Sequence, residues 1–204
     1  MTLVLIRHGE TALNVTRVLQ PADTPLSAQG LAQAQALARR LTALGVAGIV
    51  SSDLPRAWVT ALVIGDACGL PVTPSSLLHE RNFGDLRGQP YDTLGFDPLA
   101  MNQAPPGGES IPAFIDRVAR AFDEMRRLRA ALQGPLVVVT HGMVIRALLA
   151  HHGRLPASSR LPPHLGNTCV SIVSARPPHA VSLLACTRHL DASNQEDVHS
   201  LSGG

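Results

Sequence analysis

The chain has 204 residues, of which 45% are hydrophobic and 16% charged, and its formal net charge is +2. This composition is typical of a globular protein and excludes a disordered chain, and so small a charge gives no reason to expect a nucleic-acid or membrane partner. The length suits one hydrophobic core, so we predict a single domain over residues 1–204.

The first half of the chain predicts strands and helices in alternation. The apolar run 3–6 is typical of a buried strand, and apolar residues at helical spacing predict an amphipathic helix over 27–44. A second short strand is predicted over 48–50. Asp53 is then placed to cap a helix that runs to about Cys68.

The middle of the chain is the least regular part. Residues 72–73 are compatible with a short strand. Residues 84–110 are rich in Gly, Pro and Asp without periodicity, and we expect this excursion to carry the specificity of the protein. A long helix is predicted to begin at Glu109 or Ser110 and to end at about Leu132.

The last third completes an α/β pattern. A strand over 136–139 leads into a helix over 144–149, and the apolar runs 170–173 and 181–184 predict a closing strand pair. The polar residues 187–204 are expected to form a loose tail. Strands that alternate with helices predict a three-layer α/β/α fold whose central sheet is mainly parallel.

Two absences in the composition exclude some kinds of chemistry. All 17 basic residues are arginines, which excludes Schiff-base catalysis and a Walker-type phosphate loop, since both need a lysine. The three cysteines form neither a paired framework nor a CxxC motif, which favours a reducing, cytoplasmic location. The apolar stretch before Arg7 is shorter than a signal peptide, and no segment is long enough to span a membrane.

Basic side chains follow several of the predicted strands. Arg7 and His8 end the first strand, Arg56 opens the helix after the second, and His141 and Gly142 follow the strand 136–139. Ligands of open α/β sheets bind beyond the carboxyl ends of the strands, so these residues are expected at one rim. Each of them alone is more often solvated surface or a turn. Together they predict a phosphoryl site, because a guanidinium matches phosphate oxygens.

The order of these motifs resembles that of the histidine phosphatase superfamily, which is also called phosphoglycerate-mutase-like. The resemblance covers roughly residues 3–173. Six blocks carry it: RHGETALN, PLSAQGLAQAQALARRL, SSDLPRAWVTA, HERNFGDLRG, PPGGES and VVVTHGMVIRALL.

The resemblance implies a role for each candidate residue. His8 would be the nucleophile that forms a phosphohistidine, with its other ring nitrogen held by a backbone carbonyl. Glu80 would protonate the leaving oxygen and then activate water. Beside a bound phosphate, this carboxyl is expected to hold its proton more readily. Since arginines and histidines would supply the positive charge, no metal is expected, and a phosphatase of this family is expected to need no other cofactor, unlike its cofactor-dependent mutases. The phosphate would be bound by Arg7, Asn14, Arg56, His141 and Gly142.

Three functions remain open at this stage. The first is a phosphatase acting on a small phosphomonoester, and the second is a phosphoglycerate mutase. Mutases of this family are longer and bring extra basic residues between the acid and the second histidine, whereas this chain has none between Arg87 and Arg117. The block ERNFG is nevertheless mutase-like. The third is a non-catalytic phosphate-binding or signalling module, which would be expected to lack His8, Glu80 or an arginine. The substrate and the oligomeric state are left open.

Several other residues allow two interpretations. Glu80 could instead form a surface salt bridge with Arg81, and Arg81 could reach substrate or lie at the surface. Gly9 is expected to allow the phosphate a close approach. Five residues could line a substrate pocket or serve domain packing: Phe83, Tyr91, Phe96, Leu99 and Met101.

Overall fold

The computed structural model describes residues 1–190, which form six strands and five α-helices in that part of the chain. The strands are β1 Thr2–Arg7, β2 Gly48–Ser51, β3 Val72–Pro74, β4 Leu136–Thr140, β5 Val170–Ser174 and β6 Val181–Cys186. The helices are α1 Ala12–Val15, α2 Ala28–Leu41, α3 Pro55–Cys68, α4 Ile111–Ala130 and α5 Gly142–His151. Within residues 1–190, no helix is long and apolar enough to cross a bilayer.

The six strands form one sheet in the order β3-β2-β4-β1-β5-β6. The four strands β1 to β4 run parallel, and β5 and β6 add an antiparallel edge. The register pairs Leu3 with Leu136 and Arg7 with Thr140, so β1 and β4 end side by side. The prediction of a mainly parallel sheet with a closing strand pair is confirmed.

Helices cover both faces of the sheet. Leu3 and Leu5 of β1 belong to a core cluster with the apolar faces of α4 and α5. Val4 and Ile6, which point to the opposite face, belong to a second cluster with α2 and α3. Strands buried on both faces need continuous apolar runs, which is why 3–6 shows no alternation of polar residues. The α/β/α layering is therefore confirmed.

The helices differ from the prediction at several ends. Helix α2 ends at Leu41 and is followed by a 3₁₀ turn over Thr42–Leu44, α5 spans Gly142–His151 instead of 144–149, and α3 lacks the predicted cap. The Ser27 side chain caps α2, since it accepts a hydrogen bond from the Gly30 N–H at 3.0 Å. Asp53 does not cap α3, which begins at Pro55 after the extended residue Leu54. Proline at the first helical position has no N–H to satisfy, so a side-chain cap matters less there. The Asp53 carboxylate instead pairs with the ring of His79.

The excursion 84–110 contains two short 3₁₀ helices, Gly84–Leu86 and Tyr91–Thr93, joined by irregular backbone. A bridge between Val18 and Pro90 ties it to the segment that follows α1. Of the predicted loose tail, residues 187–190 form a turn in which Leu190 is buried, and the prediction for 191–204 lies outside the described residues.

Candidate active site

The end of β1 buries His8 completely and fixes its backbone from two sides. The His8 N–H donates to the Thr140 carbonyl at 3.0 Å, and the His8 carbonyl accepts from the Thr168 N–H at 3.2 Å. In the ring, Nδ1 lies 2.7 Å from the Gly9 carbonyl oxygen. A carbonyl can only accept, so Nδ1 carries the proton and the ring's lone pair is on Nε2.

Gly9 has a packing role that the sequence did not indicate. A Cβ at Gly9 would lie 2.5 Å from the Gly30 carbonyl oxygen of α2, so the missing side chain lets helix and loop pack together. The Gly9 N–H donates to the Thr60 hydroxyl at 3.0 Å, and that hydroxyl donates to the Arg56 carbonyl at 2.7 Å. The loop after β1 is thus fixed to both α2 and α3.

His141 lies at the end of β4, where it precedes the first residue of α5, Gly142. Its ring centroid is 5.2 Å from that of His8. Its Nε2 is 2.8 Å from the Ser52 hydroxyl, which also accepts the Leu54 N–H at 3.3 Å. We assign the hydroxyl proton to Nε2, and with this assignment the ring carries its own proton on Nδ1.

The electrostatic environment keeps His141 neutral. Burial lowers its pKa well below the usual value, and the charge of Arg56 lowers the pKa further. Its Nδ1 is buried and has no hydrogen-bond partner among residues 1–190. A neutral ring with Nδ1–H is a donor for an anionic oxygen.

Three further predicted residues lie buried around this pair of rings. The Arg7 guanidinium donates to the Leu165 carbonyl, and that of Arg56 donates to the Pro21 carbonyl at 3.2 Å. Burial lowers the pKa of Arg56 to about 10, so it remains a cation at neutral pH. The Asn14 Oδ1 accepts from the Thr11 N–H at 3.0 Å, which fixes the amide orientation.

Glu80 is only 5% exposed, so the alternative of a surface salt bridge is wrong. Its two carboxylate oxygens accept backbone N–H groups of Arg81 at 2.9 Å and Met143 at 3.1 Å. Burial raises the pKa of Glu80, and this effect exceeds the lowering by those hydrogen bonds and by Arg56 and Arg7. A carboxyl group held in this way keeps its proton to a higher pH than an exposed one.

Arg81 is 1% exposed, so it does not lie at the surface. Its side chain binds the backbone of the excursion and does not point to a substrate. Its guanidinium donates to four backbone carbonyls, those of Pro98, Met101, Gln103 and Glu109. These bonds fix loop residues that no periodic pattern could place. Arg81 thereby connects the acid's segment to the excursion.

Arg117 of α4 is a supporting residue that the sequence did not indicate. It forms an ion pair with Glu109 at 2.8 Å and donates to the carbonyls of Leu77 and His79, each at 2.8 Å. Its side chain therefore holds the segment that leads to Glu80. Ser52, which orients His141, was likewise missed, although it lies inside the quoted block SSDLPRAWVTA.

A cleft of about 510 Å³ lies next to the buried acid. Met143 connects the acid to the cleft, because its N–H donates to Glu80 and the residue itself lines the cleft. Of the five residues with two interpretations, Tyr91, Phe96 and Leu99 line the cleft. Tyr91 also belongs to the core cluster that contains Phe83, and Leu99 packs against that cluster. The Met101 carbonyl accepts from Arg81.

A metal site is not evident in the part of the chain that the structure describes. No group of three or more His, Cys, Asp or Glu side chains there is arranged to hold an ion. The positive charge beside His8 comes from Arg7 and Arg56, and the two rings and Glu80 complete the candidate site.

Comparison with known proteins agrees with this geometry. The sequence profile of the histidine phosphatase superfamily (branch 1) matches residues 3–186. "Probable phosphoglycerate mutase GpmB" from Yersinia pestis is 35% identical over 183 residues, which cover 85% of this chain and 84% of that relative. Among solved structures, mycobacterial glucosyl-3-phosphoglycerate phosphatase in complex with VO3 is 34% identical with a TM-score of 0.72, covering 85% of this chain and 90% of that one.

A second solved structure extends the likeness to another phosphatase. A phosphoserine phosphatase mutant from Entamoeba histolytica, in complex with phosphoserine, is 25% identical with a TM-score of 0.74. The match covers 93% of this chain and 99% of that one. Because the family profile spans most of its length, the chain belongs to the histidine phosphatase superfamily.

Proposed function

We propose that this protein is a metal-independent phosphatase that hydrolyses a small phosphomonoester through a phosphohistidine on His8. The observation that carries the proposal is the ring orientation of His8, whose Nδ1–H is bound to the Gly9 carbonyl at 2.7 Å. This bond fixes the tautomer in which Nε2 is the nucleophilic atom.

In the first step, the His8 Nε2 lone pair forms a bond to phosphorus while the bond from phosphorus to the ester oxygen breaks. Glu80, whose pKa is raised by burial, acts as the acid and gives its proton to the departing oxygen. Arg7, Arg56 and the Nδ1–H of His141 bind the phosphoryl oxygens. Phosphoryl transfer depends mostly on positioning and charge stabilisation, which such a clamp provides.

In the second step, the Glu80 carboxylate takes a proton from a water molecule as the water oxygen bonds to phosphorus. The bond from phosphorus to His8 Nε2 breaks, which releases inorganic phosphate and restores the neutral ring and the protonated acid. Asn14 and Gly142 complete the proposed phosphate pocket, by the family resemblance that the sequence carries.

The second candidate function is a phosphoglycerate mutase, since a curated relative carries that name. Two solved relatives are phosphatases, and the segment from Arg87 to Arg117 brings no extra basic residue. We therefore favour water as the acceptor of the phosphoryl group.

The choice between water and a second substrate oxygen can be measured directly. With 3-phosphoglycerate and added 2,3-bisphosphoglycerate, we expect no stimulated interconversion of the monophosphoglycerates. With a panel of phosphomonoesters, we expect release of inorganic phosphate, which a non-catalytic phosphate-binding module would not give. Interconversion that outpaces phosphate release would assign the chain to the mutases.

Chelation provides a further prediction. Since arginines and histidines supply the positive charge in the proposed clamp, we expect full phosphatase activity in excess EDTA. Phosphate release is measured before and after dialysis against the chelator. Lost activity that returns with a divalent cation would contradict a metal-independent mechanism.

A further inference from the structure

Tyr91 is the only tyrosine of the chain, and it lines the cleft beside the proposed catalytic site. The residue is 8% exposed, and its hydroxyl oxygen is buried. Among the residues that the structure describes, this oxygen has no hydrogen-bond partner. Leaving a buried hydroxyl unpaired is unfavourable, and such groups in native proteins usually have a reason. Because Tyr91 lines the cleft, the missing partner of its hydroxyl could be an oxygen of a bound ligand.

The position of Tyr91 is fixed by backbone contacts. Its N–H donates to the Arg17 carbonyl at 2.9 Å, and the neighbouring residues Pro90 and Val18 form a bridge. Arg17 lies three residues beyond Asn14 of the phosphate pocket. These contacts attach the segment that carries Tyr91 to the segment that follows α1.

The phenol is held as a donor close to the charged site. Burial raises the pKa of Tyr91, and the charge of Glu80 raises it further, while Arg7 lowers it. The hydroxyl is therefore protonated, and able to donate, at neutral pH. Met143 lines the same cleft as Tyr91, and its N–H donates to the Glu80 carboxylate at 3.1 Å, so this cleft adjoins the proposed acid.

The cleft is too large for a phosphoryl group or a three-carbon leaving group alone. Its volume of about 510 Å³ falls within the ~300–1,000 Å³ range typical of pockets that enclose drug-sized ligands. Part of its lining is apolar: Phe96, which is 46% exposed, Leu99 and Met143 all line the cleft. Polar and charged side chains line the same cleft, namely those of Arg17, Asp92, Asp97, Arg146 and His164. This mixture suits a ring that has apolar faces and hydroxyl groups at its edge.

We propose, on the basis of the phosphatase function above, that the cleft binds a sugar-like leaving group and that the Tyr91 hydroxyl donates a hydrogen bond to one of its oxygens. Tyr91 is then a specificity residue for the group released from phosphate. Three-carbon phosphates are expected to be poorer substrates, because they leave the cleft largely unfilled and the phenol unpaired.

The test compares Tyr91→Phe with the wild-type protein on matched substrates. Glucose 6-phosphate and ribose 5-phosphate supply a hydroxylated ring. Phenyl phosphate supplies a ring without hydroxyl groups. Phosphoserine and 3-phosphoglycerate supply three-carbon leaving groups. We expect the wild-type kcat/KM to be highest for the sugar phosphates. For these, Tyr91→Phe should lower kcat/KM about 3- to 10-fold, the usual effect of one neutral hydrogen bond, and it should leave phenyl phosphate unchanged.

Two further readouts separate recognition from a structural role. The melting temperature of Tyr91→Phe should not fall, because the hydroxyl has no partner in the described part of the free protein. Phe96→Ala should raise KM for both sugar phosphates and phenyl phosphate, since it removes a ring from the cleft wall.

The outcomes distinguish this inference from the function on which it depends. Equal losses on all substrates in Tyr91→Phe, a lower melting temperature, or a wild-type preference for three-carbon phosphates would overturn the inference alone. If no compound of the panel releases phosphate, both the inference and the proposed phosphatase are wrong.

Discussion

His8→Ala is expected to reduce phosphate release by at least about a thousand-fold, because it removes the only atom proposed to bond to phosphorus. The side chain is fully buried and donates one hydrogen bond to Gly9, so its loss also affects stability. We expect the free energy of unfolding to fall by about 1–3 kcal/mol, which leaves a folded protein. Steady-state phosphate release and thermal unfolding measure the two effects separately.

Two variants serve as controls for this result. His8→Asn keeps a polar side chain in the pocket and should be as inactive as His8→Ala, with a smaller loss of stability. His151→Ala removes an exposed histidine from the end of α5 and should keep full activity. A folded His8→Ala variant with more than about one hundredth of wild-type turnover would contradict the role of His8.

Glu80→Gln is expected to lower turnover by about 10²- to 10⁴-fold, the range typical of a lost general acid or base. The amide has nearly the same shape, and one of its positions can still accept the Arg81 N–H. The other position places an NH₂ group against the Met143 N–H, so one hydrogen bond is lost. Because both proton transfers suffer, the phosphohistidine should persist longer than in the wild type.

The pH dependence tests the acid independently. The protonated form of Glu80 is the active one in the first step, and burial raises its pKa. Activity should therefore persist to a higher pH than an ordinary carboxyl allows, and then decline as Glu80 loses its proton. Glu80→Gln should remove this decline, whereas Glu124→Gln, which changes no residue of the phosphate pocket, should keep it. An unchanged profile in Glu80→Gln would assign the proton to another group.

The sequence predicted those parts of the molecule that depend on local patterns. The apolar runs located β1 and β4, and their alternation with helices gave the layered sheet that brings His8 and His141 within 5.2 Å between ring centroids. Helix caps were predicted less well, as Asp53 shows. An acidic residue before a helix satisfies the capping pattern, but Pro55 removes one of the N–H groups that a cap would bind.

Contacts between distant residues could not be predicted from one sequence. Ser52 forms a hydrogen bond with His141, which is 89 residues away in the sequence. The carbonyl partners of Arg81 lie in an excursion that has no periodicity. The packing of Gly9 against Gly30 is equally invisible, because a glycine motif does not reveal which backbone approaches it. These contacts join residues that are far apart in the sequence, so no local pattern reveals them.

The most direct test of the account is to trap the covalent intermediate. Wild-type protein and Glu80→Gln are each mixed with a phosphomonoester that the wild type hydrolyses. The reaction is quenched at alkaline pH, which preserves the acid-labile bond from phosphorus to nitrogen, and the protein is then digested for mass spectrometry. We predict a phosphoryl group on the peptide that carries His8, at higher occupancy in Glu80→Gln, and none in His8→Ala. A phosphoryl group on His141, or turnover in which the His8 peptide is never phosphorylated, would contradict the account.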